Sequence, residues 1–221
     1  MKVKRFFREI FIQGINPMRY MMHRAFEEKK ARIISPCVDL GGGNPQIQTY
    51  LDHIINEKGE KVIIADISPE ADVYCNLEEP LPFENGKFKT VLLINVLPLI
   101  FDFNLVAKEV YRILESGGTA YIWTSFNANT HPHPNDYFRF TEQSLEKIFK
   151  QASFPEVETK SYGGLGLTIG AYMGQMTQKV KIISAIIYTF WFAINKIFNL
   201  IKPKENAKRW PMGHLAIAKK K

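Results

Sequence analysis

Cysteine is nearly missing from this chain: only Cys37 and Cys75 occur in 221 residues, with no Cys-x-x-Cys and no histidine nearby. That excludes a disulfide framework and a cysteine zinc site, and the sequence calls for no metal; both thiols are expected to be buried in a reducing compartment. No Gly-Lys-Ser/Thr follows the glycine cluster at 41–43, so a P-loop is excluded. No internal repeat or low-complexity tract occurs, and the length suits one α/β domain with additions. The opening MKVKRFFREIFIQ has a basic start, but Arg8 and Glu9 interrupt any apolar run, so it reads as mature protein and not as a signal peptide.

What is present is positive charge at the ends. Lys and Arg number 29 against 22 Asp and Glu, for a net charge of +7 and a pI near 9.3. Lys2, Lys4, Arg5 and Arg8 lie at the start; Lys202, Lys204, Lys208, Arg209 and Lys219 to Lys221 lie at the finish. Such ends attract polyanions, either anionic lipid or nucleic acid, unless they are merely solvated tails. The interleaved aromatics favour lipid. Phe6, Phe7, Ile10 and Phe11 share one helical face, which predicts a short amphipathic helix within an N-terminal extension, residues 1–30.

From residue 31 the pattern alternates strand and helix. Strands are expected at Ile33–Leu40, Lys61–Asp66, Ala71–Leu77, Thr90–Asn95, Thr119–Ser125 and Glu156–Tyr162, with a last one at His214–Ala218. Helices are expected at Gln46–Glu57, Leu105–Leu114 and from Glu142 to Phe149, the last capped by Thr141 or Ser144. Alternation of this kind predicts a parallel sheet covered on both faces.

VDLGGGNPQ, Val38 to Gln46, stands where the first strand of an open α/β sheet meets its ligand. Glycines there permit positive φ and close approach, and the following helix N-terminus offers N–H groups to an anion. Asp66, ending KVIIAD about 20 residues on, suits the acid that holds ribose hydroxyls. A pyrophosphate ligand expects Gly-x-Gly-x-x-Gly, but Gln46 occupies the third position. The ligand then needs a ribose acceptor and a seat for an amino-acid carboxylate, and S-adenosylmethionine meets both needs. Pro45 suits the opening of a helix.

With these motifs in order, the chain resembles the class I S-adenosylmethionine-dependent methyltransferases, in particular the type 11 group, from about Ile33 to Phe154. VDLGGGNP is similar to the first motif, with Asp39, Gly41, Gly42 and Gly43 at its acid and glycine positions. CNLEEPLPFENGKFKTVLLINVL and KEVYRILESGGTAYI resemble the later segments, with Ser116 in place of a usual proline. The resemblance implies a Rossmann-like, doubly wound, mostly parallel seven-stranded sheet with an antiparallel last strand. It also implies cofactor contacts from Asp66 and Ile67, Asn76 and Leu77, and Asn95. The methyltransferase domain would span 31–221, with an apolar helical insertion at 166–204.

Departures from the family bear on the reaction. Pro98 and Leu99 stand where many relatives carry Glu-His, and Pro45 replaces the last glycine of the first motif. Methyl transfer to a hydroxyl needs an aligned nucleophile and a base. The loop HPHPNDYFRFT resembles one in a bacterial subgroup associated with surface-polysaccharide or lipid-linked glycan loci. It makes His133 or His131 the expected base, with Asp136 and Arg139 shaping the loop or pairing with substrate. A loop-fixing Asp136–Arg139 salt bridge with exposed histidines is the alternative. No Asn-Pro-Pro-Tyr or Asp-Pro-Pro-Tyr follows the fourth strand, which argues against nucleic-acid methylation.

The window Ile182 to Ile201 is long enough to span a bilayer. Lys181, Ser184, Tyr188, Asn195, Asn199 and Lys202 nevertheless form one polar stripe, and the last strand must rejoin the sheet on the side the chain left. The helix is therefore expected to lie in the interface with its basic flanks toward headgroups, or to pack on a partner. The resulting expectation is a cytoplasmic enzyme, peripheral on the inner face of a membrane, methylating oxygen of a membrane-associated or lipid-linked acceptor. Two alternatives stay open: a fold that binds without catalysis, and a soluble small-molecule methyltransferase with this helix as a lid or homodimer face.

Overall fold

Seven strands form one sheet in the order β3-β2-β1-β4-β5-β7-β6. They are β1 (Cys37–Leu40), β2 (Val62–Asp66), β3 (Val73–Tyr74), β4 (Phe88–Ile94), β5 (Leu114–Ser125), β6 (Glu156–Gly163) and β7 (Pro211–Lys219). The computed structural model describes residues 8–12, 14–43, 48–130, 135–177, 179–201 and 203–221. Strands β3, β2, β1, β4 and β5 pair in parallel, with Asp39 beside Ile64 and Val38 beside Val91. Strand β7 runs the other way: near the start of β5, the Gly117 N–H donates to the Lys220 carbonyl just past the end of β7, at 2.9 Å. The expected Rossmann-like topology with one reversed strand is therefore observed.

Strand β4 is buried at six of its seven positions, as expected of a central parallel strand whose residues are apolar on both faces. Helices α2 (Phe103–Ile113) and α3 (Glu142–Gln151) cover one face. Val106, Val110, Leu145 and Phe149 pack there with Val38, Leu40, Val91 and Leu93 in a single core. The Asp102 carboxylate caps α2 by accepting from Leu105 N–H at 3.0 Å. Thr141 and Ser144 make a reciprocal capping box at α3, so both expected caps are present.

One expected element is absent among the described residues. In place of an α-helix over Gln46–Glu57 there is a single 3-10 turn, Leu51–His53, with Ile54 extended beyond it. Two tertiary contacts override helix propensity here. Ile55 bridges to the segment before β1, donating its N–H to the Ala31 carbonyl at 2.8 Å and accepting from Ile33 N–H at 2.9 Å. Upstream, Gln48 and Tyr50 are bonded to Gly42 and Asp39. Pro45, expected to open that helix, lies outside the described residues.

The chain divides into two compact units, residues 26–160 with 214–221, and residues 1–25 with 161–213. The first is the sheet unit. The second is helical: a five-residue π-helix (Arg8–Ile12), α1 from Pro17 to its end at Glu28, α4 (Leu165–Met176), α5 (Lys181–Ile201) and α6 (Pro203–Arg209). Of the expected amphipathic N-terminal helix, Arg8–Ile12 is helical, and Phe6 and Phe7 lie outside the described residues. Gly14 takes φ +66° and ends that helical segment; Asn16 then caps α1 through Arg19 N–H at 2.8 Å, with Pro17 as first helical residue. Ile10, Ile15, Tyr20, Leu167, Tyr188 and Phe192 form this unit's core.

Candidate cofactor site

The carboxyl ends of β1, β2 and β4 lie side by side in the sheet unit and carry the predicted residues. Gly41 follows β1 with φ +72°, and its N–H donates to the Ala65 carbonyl at 2.8 Å. A Cβ there would sit 2.4 Å from the Val96 side chain, so this turn requires glycine on both counts. Gly43 also adopts positive φ, +58°, and its N–H donates to Asp66 Oδ2 at 2.9 Å. The other carboxylate oxygen of Asp66 accepts from Ser68 N–H at 2.8 Å. The acid at the tip of β2 is thereby aimed back at the glycine turn, with further lone pairs on both oxygens for hydroxyl donors. Ile67, next in the chain, is 53% exposed beside it.

The other candidates fall into two groups. Asn95 ends β4 in the left-handed region at φ +58°, and its Oδ1 accepts from Ser125 N–H at 3.0 Å and Ser125 Oγ–H at 2.8 Å. It ties the ends of β4 and β5 together and is itself exposed at this sheet edge. Asn76 holds its own turn, accepting from Glu78 N–H at 3.1 Å and donating to Glu79 Oε1 at 2.7 Å. Asp39, Gly42 and Leu77 are packed inside. Leu77 belongs to the main core, and a Cβ on Gly42 would meet Gln48 Nε2 at 2.9 Å.

Asp39 is fully buried and accepts a short hydrogen bond from the Tyr50 hydroxyl. Burial pushes its carboxyl up to about 7, opposed by the Tyr50 bond and aided by the negative charge of Asp66. Both cysteines are buried, and burial raises both thiols, Cys75 to about 11.

On the acceptor side, Asp136 and Arg139 are paired with each other. Arg139 Nη2 donates to Asp136 Oδ2 at 2.7 Å, and Nη1 makes a second, shorter bond to Oδ1. The same guanidinium reaches the Phe138 carbonyl at 2.9 Å and the Ala128 carbonyl at 3.4 Å, pinning both strands of the loop. His131 and His133, the expected bases, lie outside the described residues. Pro98 takes a structural part: its carbonyl accepts from Tyr137 N–H at 2.9 Å and Phe138 N–H at 3.3 Å. The loops after β4 and β5 are joined there, and Phe101 and Tyr137 form an exposed edge-to-face pair with centroids 5.3 Å apart.

A clamp beneath the Asn76 segment was not foreseen from the residues. Glu109 accepts from Leu81 N–H at 2.7 Å, while Arg112 donates to the carbonyls of Leu81 at 3.0 Å and Phe83 at 2.6 Å. Hydrogen bonds from Arg112 hold the Glu109 carboxyl below its ordinary range. The i,i+3 spacing of an acid and an arginine on α2 was the available signal.

Residues 38–122 match the family model described as Methyltransferase domain. Over these residues the chain is similar to that family. Its match runs from β1 through nearly all of β5 and includes every predicted cofactor residue. Among solved structures, a Thermotoga maritima S-adenosylmethionine-dependent methyltransferase is similar at 14% identity and TM-score 0.56, over 99% of this chain and 96% of that one. Haemonchus contortus phosphoethanolamine N-methyltransferase 2, in complex with phosphomonomethylethanolamine and S-adenosylhomocysteine, is similar at 16% identity and TM-score 0.53. That comparison covers 90% of this chain but 52% of the other, so this chain spans about half the relative's length. The [4+2]-cyclase SpnF is similar at 12% identity and TM-score 0.54, over 92% and 81% of the two chains. At such identities the likeness shows a shared fold. No curated protein sequence matches the chain.

Proposed function

We propose that the protein transfers a methyl group from S-adenosylmethionine to an oxygen of a membrane-associated or lipid-linked acceptor of the glycan type, working at the cytoplasmic face of a membrane. The observation that carries the cofactor part is the bond between Gly43 N–H and Asp66 Oδ2, which fixes the acid of β2 against the glycine turn of β1 at 2.9 Å. Gly41 and Gly43 leave the turn open to a ligand's amino-acid end, and Asp66 accepts from ribose hydroxyls. Held there, S-adenosylmethionine would supply an electrophilic methyl to the acceptor oxygen as its carbon–sulfur bond broke, with S-adenosylhomocysteine and one proton as the other products. What the chain supplies is alignment and a group that takes the proton, for which His133 and His131 are the candidates.

Calorimetry with S-adenosylmethionine tests the site. Asp66→Ala and Gly43→Val are each expected to weaken binding, Asp66→Ala by about a hundredfold for the loss of charge-assisted bonds worth roughly 3 kcal/mol. Unaltered affinity in either variant overturns the assignment.

A second reading has a specific support. The Asp136 carboxylate and the Arg139 guanidinium satisfy each other, and Pro98 anchors a loop where relatives carry an acid–base pair. A domain that binds the cofactor without turnover fits those facts, and binding without S-adenosylhomocysteine formation across hydroxyl acceptors would establish it.

A further inference from the structure

Helix α5 is amphipathic in the reverse sense for a helix facing water. Every exposed residue from 182 to 201 is apolar, and Ile182, Ile186, Phe190, Ala193, Ile197 and Leu200 follow one another in steps of three and four along five turns. The middle of the polar stripe points inward instead. Ser184, Tyr188 and Asn195 are buried; the Ser184 hydroxyl donates to the Gly174 carbonyl at 3.0 Å, and Asn195 Oδ1 accepts from Asn206 Nδ2 at 3.2 Å. The helix meets α4 across Gly166, Gly170 and Gly174, each placed where a Cβ would collide with α5. Small residues at four-residue spacing and buried polar contacts are how helices associate where water does not drive them together.

Charge frames the stripe. The helical unit carries thirteen Lys and Arg against two Glu, while the sheet unit carries sixteen against twenty acids. Exposed Lys179 and Lys181 stand at one end of the apolar face, and exposed Lys208 and Arg209 lie beyond the other. A second copy of the chain would bring this excess against itself, whereas anionic headgroups neutralise it.

We propose that the exposed face of α5 is a monotopic docking surface for an anionic lipid bilayer, with the helix lying in the interface plane. By length and composition α5 could cross a membrane, being 21 residues or about 31 Å. The connection geometry opposes this. Gly164 N–H donates to the Trp210 carbonyl at 2.9 Å, so the excursion through α4, α5 and α6 begins and ends at one point and cannot cross an odd number of times. Helix α4, at 12 residues or about 18 Å, is too short for a second crossing of a ~30 Å core. In the plane, the apolar stripe enters the acyl boundary while the lysines at its ends meet phosphates. This surface does not depend on the methyl-transfer reading.

Flotation of the full chain with vesicles tests it, using phosphatidylcholine alone and phosphatidylcholine mixed with phosphatidylglycerol. The chain floats with the mixed vesicles and less with the neutral ones. Ile186→Glu with Phe190→Glu lowers partition about a hundredfold or more, because two large apolar side chains are withdrawn from the acyl boundary. Lys179→Glu with Lys181→Glu weakens only the anionic component. Circular dichroism and S-adenosylmethionine calorimetry on the same samples report folding and the cofactor site separately, so failure of one reading is distinguishable from failure of the other. The proposal is overturned by a wild-type chain that stays unbound, by variants that float equally well, or by a lipid-free dimer that Phe190→Glu dissociates.

Discussion

The two units solve opposite packing problems. In the sheet unit, apolar strands face inward and an acidic surface faces water; Val91, Leu92 and Leu93 have no exposure at all. Along α5 of the helical unit, hydroxyl and amide side chains turn inward and isoleucines turn outward. The hydrophobic effect in the sheet unit orients each element against its neighbours, and buried polar atoms there are exceptions such as Asp39 and His214. The outward isoleucines of α5 obey the same physics only if their solvent is not water. Apolar content is therefore a property of a segment, whereas the direction of its apolar face is a property of its surroundings.

The contrast is broken most severely at the glycine seam. A side chain on Gly166 would place Cβ 2.7 Å from both Asn195 N and Trp191 O, and backbone atoms cannot yield as a flexible side chain does. Gly166→Leu is expected to cost more than ~3 kcal/mol, a fall in melting midpoint of about 6–12 °C for a chain of this size. Gly59 serves as the control: it has φ +61°, and a Cβ added to it would meet nothing within 4 Å, so Gly59→Ala should cost about 1 kcal/mol of backbone strain alone. Equal midpoints for the two variants would mean that α4 and α5 do not approach this closely.

Buried ionisable groups give the next effect, and they lie in the sheet unit. The Asp39 carboxyl is raised from 3.8 to about 7, chiefly by burial, so the folded chain binds a proton that the unfolded chain has released. Stability from this group is present below pH 4 and is lost as pH rises toward 7, by about 2 kcal/mol between pH 5 and pH 7. His214 has the opposite sign. Burial lowers it from 6.5 to about 4, so its contribution is complete above pH 6.5 and falls as pH drops toward 4. Urea unfolding across that range should show Asp39→Asn gaining on the wild type as pH rises, and His214→Gln gaining as pH falls. A pH-independent difference for Asp39→Asn would show that the carboxyl is charged when folded.

Much of the sheet unit was legible because its signals are local. Mostly apolar runs mark β1, β2 and β4, Thr141 and Ser144 mark a cap, and the glycine cluster and Asp66 fall at the ends of neighbouring strands. The helix expected over Gln46–Glu57 failed because its competitors are distant: Ala31 and Ile33 claim one end, while Asp39 and Gly42 claim Tyr50 and Gln48. Asp39 and Leu77 resemble ligand contacts in sequence, yet both face the interior, and no single-chain pattern separates an acid that meets a ligand from one that meets a tyrosine. The polar stripe of α5 was readable at helical spacing. Its inward direction was not, because periodicity is symmetric to which face meets protein.

The smallest expected effect distinguishes the two roles left open for the loop after β5. Arg139 makes a forked pair with Asp136, whose side chain is only 5% exposed, and also reaches two main-chain carbonyls. Lysine at that position would keep the charge but lose the fork, since an ammonium offers a point charge where a guanidinium offers paired N–H groups in one plane. Arg139→Lys should therefore lower stability by about 1 kcal/mol, with little dependence on salt because the pair is half-shielded from solvent. Cofactor affinity should be unchanged, as Asp66 and the glycine turn lie on other loops. If Arg139 held substrate instead, the same variant would leave the unfolding midpoint in place and raise KM for the acceptor. A midpoint shift without a KM change assigns the pair to loop geometry, and leaves proton removal to groups elsewhere in the HPHPNDYFRFT segment.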